Sequence, residues 1–306
     1  MNRFKTTLLL SAMTALFMGL GFTLGGPRGA AFALILAGGM NLFTFWNADK
    51  IVLRMHNAKE MTAAECPKLV GLVRDLSQRA GLPMPRVYII DSPHPNAFAT
   101  GRNPANAAVA ATTGLLATLD RDEVEAVMAH ELGHIRNHDT LIMTMTATIA
   151  GAISMVANCG FFFNNGQRGN PLAMIASLFL APFAAMLVQM AISRTREYGA
   201  DRAAAEICRN PRAVASALAK LHHAARRIPN PVVQRNPAAA ALYIVPGAGG
   251  GRDSLFSTHP DTANRIAALE QIAAEMGLHA HAARRTAVPK SARTRASALN
   301  PLKQRH

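Results

Sequence analysis

Two histidines four residues apart flank a glutamate in "VMAHELGHIRNHD" (127–139), at His130, Glu131 and His134. On an α-helix, side chains four apart leave the same face, so His130 and His134 can offer two imidazole nitrogens to one Zn²⁺ at about 2.0–2.1 Å. Glu131 is turned by about 100° from His130 and cannot comfortably be a third ligand to the same ion. It can instead serve as general base toward a water that the ion activates. The chemistry implied is metal-assisted hydrolysis, and the alternative is two ordinary histidines on a helix surface.

A hydrolytic zinc site takes three protein ligands and leaves one position open. His138 continues the row, but three residues along one straight helix are spread over about 12 Å and cannot converge on one ion. A further histidine at the H-E-x-x-H-x-x-G-x-x-H spacing would fall at position 140, which is Thr140. The last residue of that stretch, Asp139, is set aside with His138. A distant acid must then be weighed, and "SRTREYGADRAAAE" (193–206) holds Glu197 and Asp201, again four apart on one helical face. Glu197 could complete the site while Asp201 accepts a hydrogen bond from the far nitrogen of a ligand histidine. Alternatively, Glu197 is a solvated acid with an acid neighbour four residues on, or is paired with Arg194. A motif that lacks its third ligand weighs toward the first.

The elements that must position these residues follow from patterning. Half of the 306 residues are apolar and 16% are charged, which points to a membrane protein with a sizeable water-facing part. Residues 6–24 and 29–46 are two apolar runs of about 18 residues around "GGPR", near the lower limit for crossing about 30 Å of hydrocarbon. They read as a transmembrane hairpin with Trp46 at an interfacial end, the competing reading of the first run being a cleaved signal peptide. A second hairpin is expected over 141–192, against the alternative of buried helices in a soluble domain. The two short loops carry Arg28 and Arg168, whereas Arg3, Lys5, Lys50, Arg54, Lys59, Arg194 and Arg196 lie on the other side. Both termini and the segments between the spans are therefore expected in the cytoplasm, at an inner (plasma) membrane.

Between the hairpins, 47–140 should hold a helix with Leu69, Val70, Val73 and Leu76 on one face, opened by Thr62 and Glu65 in capping-box spacing and closed by Gly81. A short strand, "RVYII" (86–90), is followed by a turn over 91–101 and a second strand over 107–116 with a bend at Gly114. Asp120 and Glu123 open the helix that carries His130. Residues 193–278 are again mostly helical, and the glycine run at 247–253 lacks the Lys and Ser or Thr of a phosphate loop. The formal charge of +14 is half local, because seven bases follow the last acid, Glu275. That tail, 279–306, has no aromatics for base stacking and reads as a disordered, lipid-attracted end rather than a nucleic-acid site. Cys66, Cys159 and Cys208 are odd in number and show no C-x-x-C spacing, so neither a disulfide framework nor a thiolate metal site is indicated.

The stretches "PNAFATGRNP" (95–104), "AAVAATTGLL" (107–116), "VMAHELGHIRNHD", "SRTREYGAD" (193–201) and "STHPDTANRI" (257–266) resemble, in order, those of the HtpX family of membrane-anchored zinc endopeptidases, relatives of the CAAX prenyl proteases. The likeness runs over about residues 2–280. It implies a mainly α zincin-like domain with a small β-sheet, interrupted and anchored by two transmembrane hairpins. It also implies one Zn²⁺ per chain held by His130, His134 and Glu197, with Glu131 as catalytic base and Asp201 behind a ligand. His259, with Arg265 six residues on, would face the site and could stabilise a tetrahedral oxyanion. The implied substrates are membrane or misfolded proteins at the cytoplasmic face, with an extended substrate adding to the edge of the "AAVAAT" strand. Two rivals remain. An intramembrane protease fits poorly with the charges at Asp120 to Glu125, Arg136 and Asp139, and a non-catalytic membrane adaptor would hold no zinc.

Overall fold

A computed structural model describes residues 2–146, 148, 194–225, 227, 228, 244 and 261–277. The first element, α1 (Asn2–Met55), is interrupted where Gly25 and Gly26 leave helical geometry; Gly26 has φ +61°, a conformation open to glycine. Asn41 Nδ2 donates to Thr14 Oγ1 at 3.1 Å across that break, so the two arms lie side by side. Among the described residues, one segment, Gly25–Met55, is long and apolar enough to cross a membrane. The second expected hairpin lies outside the described residues, apart from 141–146 and 148.

The chain continues through β1 (Lys59–Glu60), α2 (Pro67–Ala80), β2 (Arg86–Ile90), β3 (Ala97–Gly101), β4 (Ala107–Thr112), α3 (Thr113–Thr118) and α4 (Arg121–Arg136). Three further helices follow: α5 (Arg194–Cys208), α6 (Pro211–Ala225) and α7 (Thr262–Glu275). The architecture is mainly helical with a small mixed sheet. On α2 the apolar stripe Leu69, Val70, Val73 and Leu76 is buried, and Gly81 closes the helix in the left-handed region (φ +67°). The expected capping box forms, with Thr62 N donating to Glu65 Oε2 at 2.9 Å, but it encloses the turn ahead of the helix, which begins at Pro67.

The sheet order is β1-β2-β4-β3, with β2 and β4 parallel and β3 antiparallel to β4. This corrects three expectations. The segment 91–101 is not all turn, because Ala97–Gly101 pairs with β4. The second strand stops at Thr112, whose side chain caps α3 by accepting from Leu115 N, so 113–116 is helical. The "AAVAAT" strand is interior to the sheet, and the edge belongs to β3.

β4 has small residues because it is covered on both faces. Ala107, Val109 and Ala111 face the main core with α2, α4, α5 and α6, while Ala108 and Ala110 join Tyr88, Ile90 and Phe98 under Val52 and Leu53 of α1. Burying those two α1 side chains contributes about 1.5–3 kcal/mol each. The end of the apolar helix is thereby fastened to the back of the sheet.

Candidate metal centre

α4 starts at a reciprocal capping box, in which Glu123 N donates to Asp120 Oδ1 and Asp120 N donates to Glu123 Oε2, both at 3.0 Å. The helix then runs through the core with Val127, Met128, Ala129, Leu132 and Ile135 buried. His130, Glu131 and His134 are buried among them, each no more than 3% exposed, and buried polar groups on that scale must be partnered.

Their partner comes from α5. Glu197 Oε2 lies 3.7 Å from His130 Nε2, and Glu197 Oε1 lies 3.8 Å from His134 Nε2. The three offer ligand atoms that all fall within 4.8 Å of one another. Atoms bound to one tetrahedral ion at about 2.0–2.2 Å are about 3.3–3.5 Å apart, so each of those histidine–carboxylate pairs is within a few tenths of an ångström of the required spacing.

Gly133 sets the distance between the two helices. A Cβ there would meet Ala203 Cβ at 2.9 Å and the Ala200 carbonyl oxygen at 3.1 Å. Gly133→Ala gains about 0.5–1 kcal/mol in helix propensity but costs about 1–3 kcal/mol in overpacking, so the melting temperature should fall, not rise. A thermal melt in detergent checks the sign.

Behind the three ligand candidates stands a second layer. Asp201 Oδ1 is 3.0 Å from His130 Nδ1, which turns His130 Nε2 toward Glu197. Arg265, wholly buried on α7, donates to Asp201 from Nε (2.8 Å) and Nη2 (2.7 Å), and from Nη1 to the Ile244 carbonyl (3.2 Å). Its Nη1 also lies 3.1 Å from Glu197 Oε2. Burial raises the Asp201 carboxyl, but Arg265 and His130 outweigh it and hold the group well below the usual carboxylate range. Burial lowers Arg265, and the charges of Asp201 and Glu197 more than restore it, so the guanidinium stays charged.

Sequence spacing missed Asp139. The helix ends at Arg136, and His138 adopts φ +58°, which turns the chain back on itself. His138 is exposed, whereas Asp139 is buried with Oδ2 at 3.3 Å from His134 Nδ1 and Oδ1 at 3.6 Å from Arg196 Nε. The only sequence signal was a carboxylate five residues after a ligand histidine, at a helix end. His130 and His134 thus each have a carboxylate at Nδ1 that leaves Nε2 directed to the common point. Asp139→Asn should weaken zinc binding by about 10–100-fold while leaving the secondary structure intact, measurable by chelator competition with circular dichroism as control.

The electrostatics suit a dication. Among the described residues four buried carboxyl side chains, Glu131, Glu197, Asp201 and Asp139, gather with two buried guanidiniums, Arg196 and Arg265, an acidic excess. The surplus shows at His134: burial lowers its pKa, but the Asp139 hydrogen bond and the Glu197, Glu131 and Asp139 charges raise it to about 9. A pocket that holds a proton so tightly also favours a divalent cation. Donor set, spacing and charge therefore fit zinc at His130, His134 and Glu197.

Glu131 lies beside this group, under the sheet edge, and accepts a hydrogen bond from Ala99 N–H of β3. Burial raises its carboxyl above the usual carboxylate range, with His130 and His134 opposing and Glu197 adding to the rise. A raised carboxyl is suited to taking up a proton near neutral pH. His259 lies outside the described residues.

A model of peptidase family M48 matches residues 63–273, a span that includes the whole described cluster. Among solved structures, the chain is similar to the crystal structure of S. mikatae Ste24p, with a TM-score of 0.49 and 18% identity over 88% of this chain. This chain spans 65% of that protein's length.

Proposed function

The chain belongs to peptidase family M48, and from that premise we propose that it is a membrane-anchored zinc endopeptidase acting at the cytoplasmic face on membrane or misfolded proteins. The observation that carries this is the meeting of His130, His134 and Glu197, from two helices far apart in sequence, beside a buried carboxyl with a raised pKa. His130, His134 and Glu197 hold the ion, Asp201 and Asp139 orient the two imidazoles, and Arg265 steadies Asp201 and Glu197. Among the described residues the Arg265 guanidinium makes its polar contacts with these groups and the Ile244 carbonyl, which supports a positioning role over direct oxyanion contact. The chemistry supplied by a bound Zn²⁺ is polarisation of the scissile carbonyl and acidification of the attacking water. Glu131 takes the proton of that water on its carboxylate and delivers it to the leaving amine nitrogen. His259 is retained as a candidate oxyanion donor.

The outward edge of β3 supports a peptide substrate. The Thr112 N to Asn96 carbonyl bond marks 96 as a hydrogen-bonded ladder position, so by alternation Ala97, Ala99 and Gly101 turn their backbone groups away from β4. All five β3 residues are buried and Ala99 N–H is bonded to Glu131, so a substrate strand adds there through main-chain bonds, with little demand on its side chains, only once that edge is uncovered. The apolar arm Gly25–Met55, with Phe32, Ile35, Leu42, Phe43 and Trp46 exposed, supports a membrane anchor, and the basic residues flanking the spans support a cytoplasmic active site. The experiment is digestion of a membrane protein in detergent: a strong chelator should abolish cleavage and added zinc should restore it. Undiminished cleavage after complete zinc removal would sink the reading.

A further inference from the structure

The strand that faces Glu131 is tied to the membrane helix at two levels. Near its start, the Phe98 ring packs on His56 at 5.1 Å between centroids, beside Val52 and Leu53. Just past its end, the Arg102 guanidinium lies 4.6 Å over the Trp46 ring and donates to Asn106 Oδ1 at 3.0 Å. Trp46 to His56 is about 15 Å along a helix, and Phe98 to Arg102 is about 13 Å along a strand. Strand and helix therefore run side by side in opposite senses. A third tie, Thr100 Oγ1 to Thr144 Oγ1 at 2.9 Å, joins β3 to the segment that follows α4.

Trp46 also marks where α1 leaves the bilayer under the membrane reading above. The exposed apolar side chains Phe32, Ile35, Leu42 and Phe43 precede it, and Asn47, Asp49 and Lys50 follow, with Asp49 paired to Arg86 of the sheet at 3.0 Å. β3 thus stands steeply on the membrane surface with the Arg102 end down, and Ala99, the residue bonded to Glu131, is about 10 Å above that level at 3.3 Å per residue.

We propose that the protein cuts at a set height above the membrane: its substrates are membrane proteins whose extended chain rises from a span along β3, and the bond cleaved lies about three residues beyond that span. The inference rests on the peptidase reading and adds to it a geometric source of specificity.

The test leaves the protein unaltered and changes the substrate. Reporters carry one apolar span of about 20 residues followed by the same marked polar sequence, joined directly or through Gly/Ser spacers of about five and about ten residues. Zinc-loaded protein and reporter are reconstituted in phosphatidylcholine and phosphatidylglycerol vesicles, and the new termini are mapped by mass spectrometry. The cut should stay about three residues from the span in all reporters, and so move from the marked sequence into the spacer. The same tail without a span should be cut about tenfold or more slowly. A cut that stays at one marked sequence whatever the spacer, or equal rates with and without the span, overturns the proposal while leaving the peptidase intact. Failure to cut the reporters and an unfolded soluble protein such as casein alike overturns the peptidase reading and this inference with it.

Discussion

Glu131→Gln is expected to lower the rate of peptide hydrolysis by about 10²–10⁴-fold, the usual contribution of a positioned acid–base group, while zinc content stays near that of the wild type. The replacement keeps the volume and can still accept from Ala99 N–H, so α4 and the sheet edge should hold. What is lost is the carboxylate that burial and Glu197 make receptive to a proton. The reading is specific because His130 and His134, on either side, are untouched. A variant that loses both activity and zinc would instead make Glu131 part of the ion's support, and one that cleaves normally would remove it from the mechanism. Single-turnover kinetics with metal analysis on the same samples separates these outcomes.

The second large effect is expected at Arg265. Replacing it with Met keeps an extended side chain but leaves Asp201 and Glu197 buried without their cation, and breaking a buried charge pair from one side costs about 3–5 kcal/mol. The loss falls on folding, because α7 is held to α5 by this contact, and on the metal, because Asp201 orients His130. Thermal unfolding in detergent should occur at a markedly lower temperature, and zinc should leave before the protein unfolds. A variant with unchanged melting and unchanged zinc affinity would show that Arg265 is dispensable to the cluster, reopening a direct role at the substrate. Arg202, whose exposed pair with Glu275 also joins α5 to α7, is the matched control, with an expected cost of about 0–1 kcal/mol.

What could be read from the sequence divides by range. His130, Glu131 and His134 were legible because helical spacing is local and their neighbours are apolar. Glu197 and Asp201 were legible only through a deficit, a two-histidine motif without its third ligand, met by a second pair of acids at helical spacing. Asp139 was not legible, since reading along a straight helix ignores the left-handed His138 that folds the chain back to His134. β3 was missed for a different reason. Its Ala, Phe, Ala, Thr, Gly sequence between Pro95 and Pro104 has weak strand propensity of its own, and pairing with β4 makes it a strand. Interior placement of β4 was equally hidden, although its run of alanines, read with both faces in mind, fits a strand covered on each side. The two arms of α1 were visible from the apolar runs around Gly25 and Gly26, whereas their docking to the sheet through Val52 and Leu53 depends on contacts that no local pattern encodes.

The central claim is that His130, His134 and Glu197 hold one zinc ion on which hydrolysis depends. Metal analysis of the purified wild type, Glu131→Gln and Glu197→Ala, with hydrolysis of a membrane-protein substrate measured on the same preparations, tests it most directly. The expected result is about one zinc per chain in the wild type and in Glu131→Gln, less than about a tenth of that in Glu197→Ala, and cleavage by the wild type alone. A wild type that cleaves without zinc, or a Glu197→Ala variant that still carries a full equivalent and remains active, would contradict it.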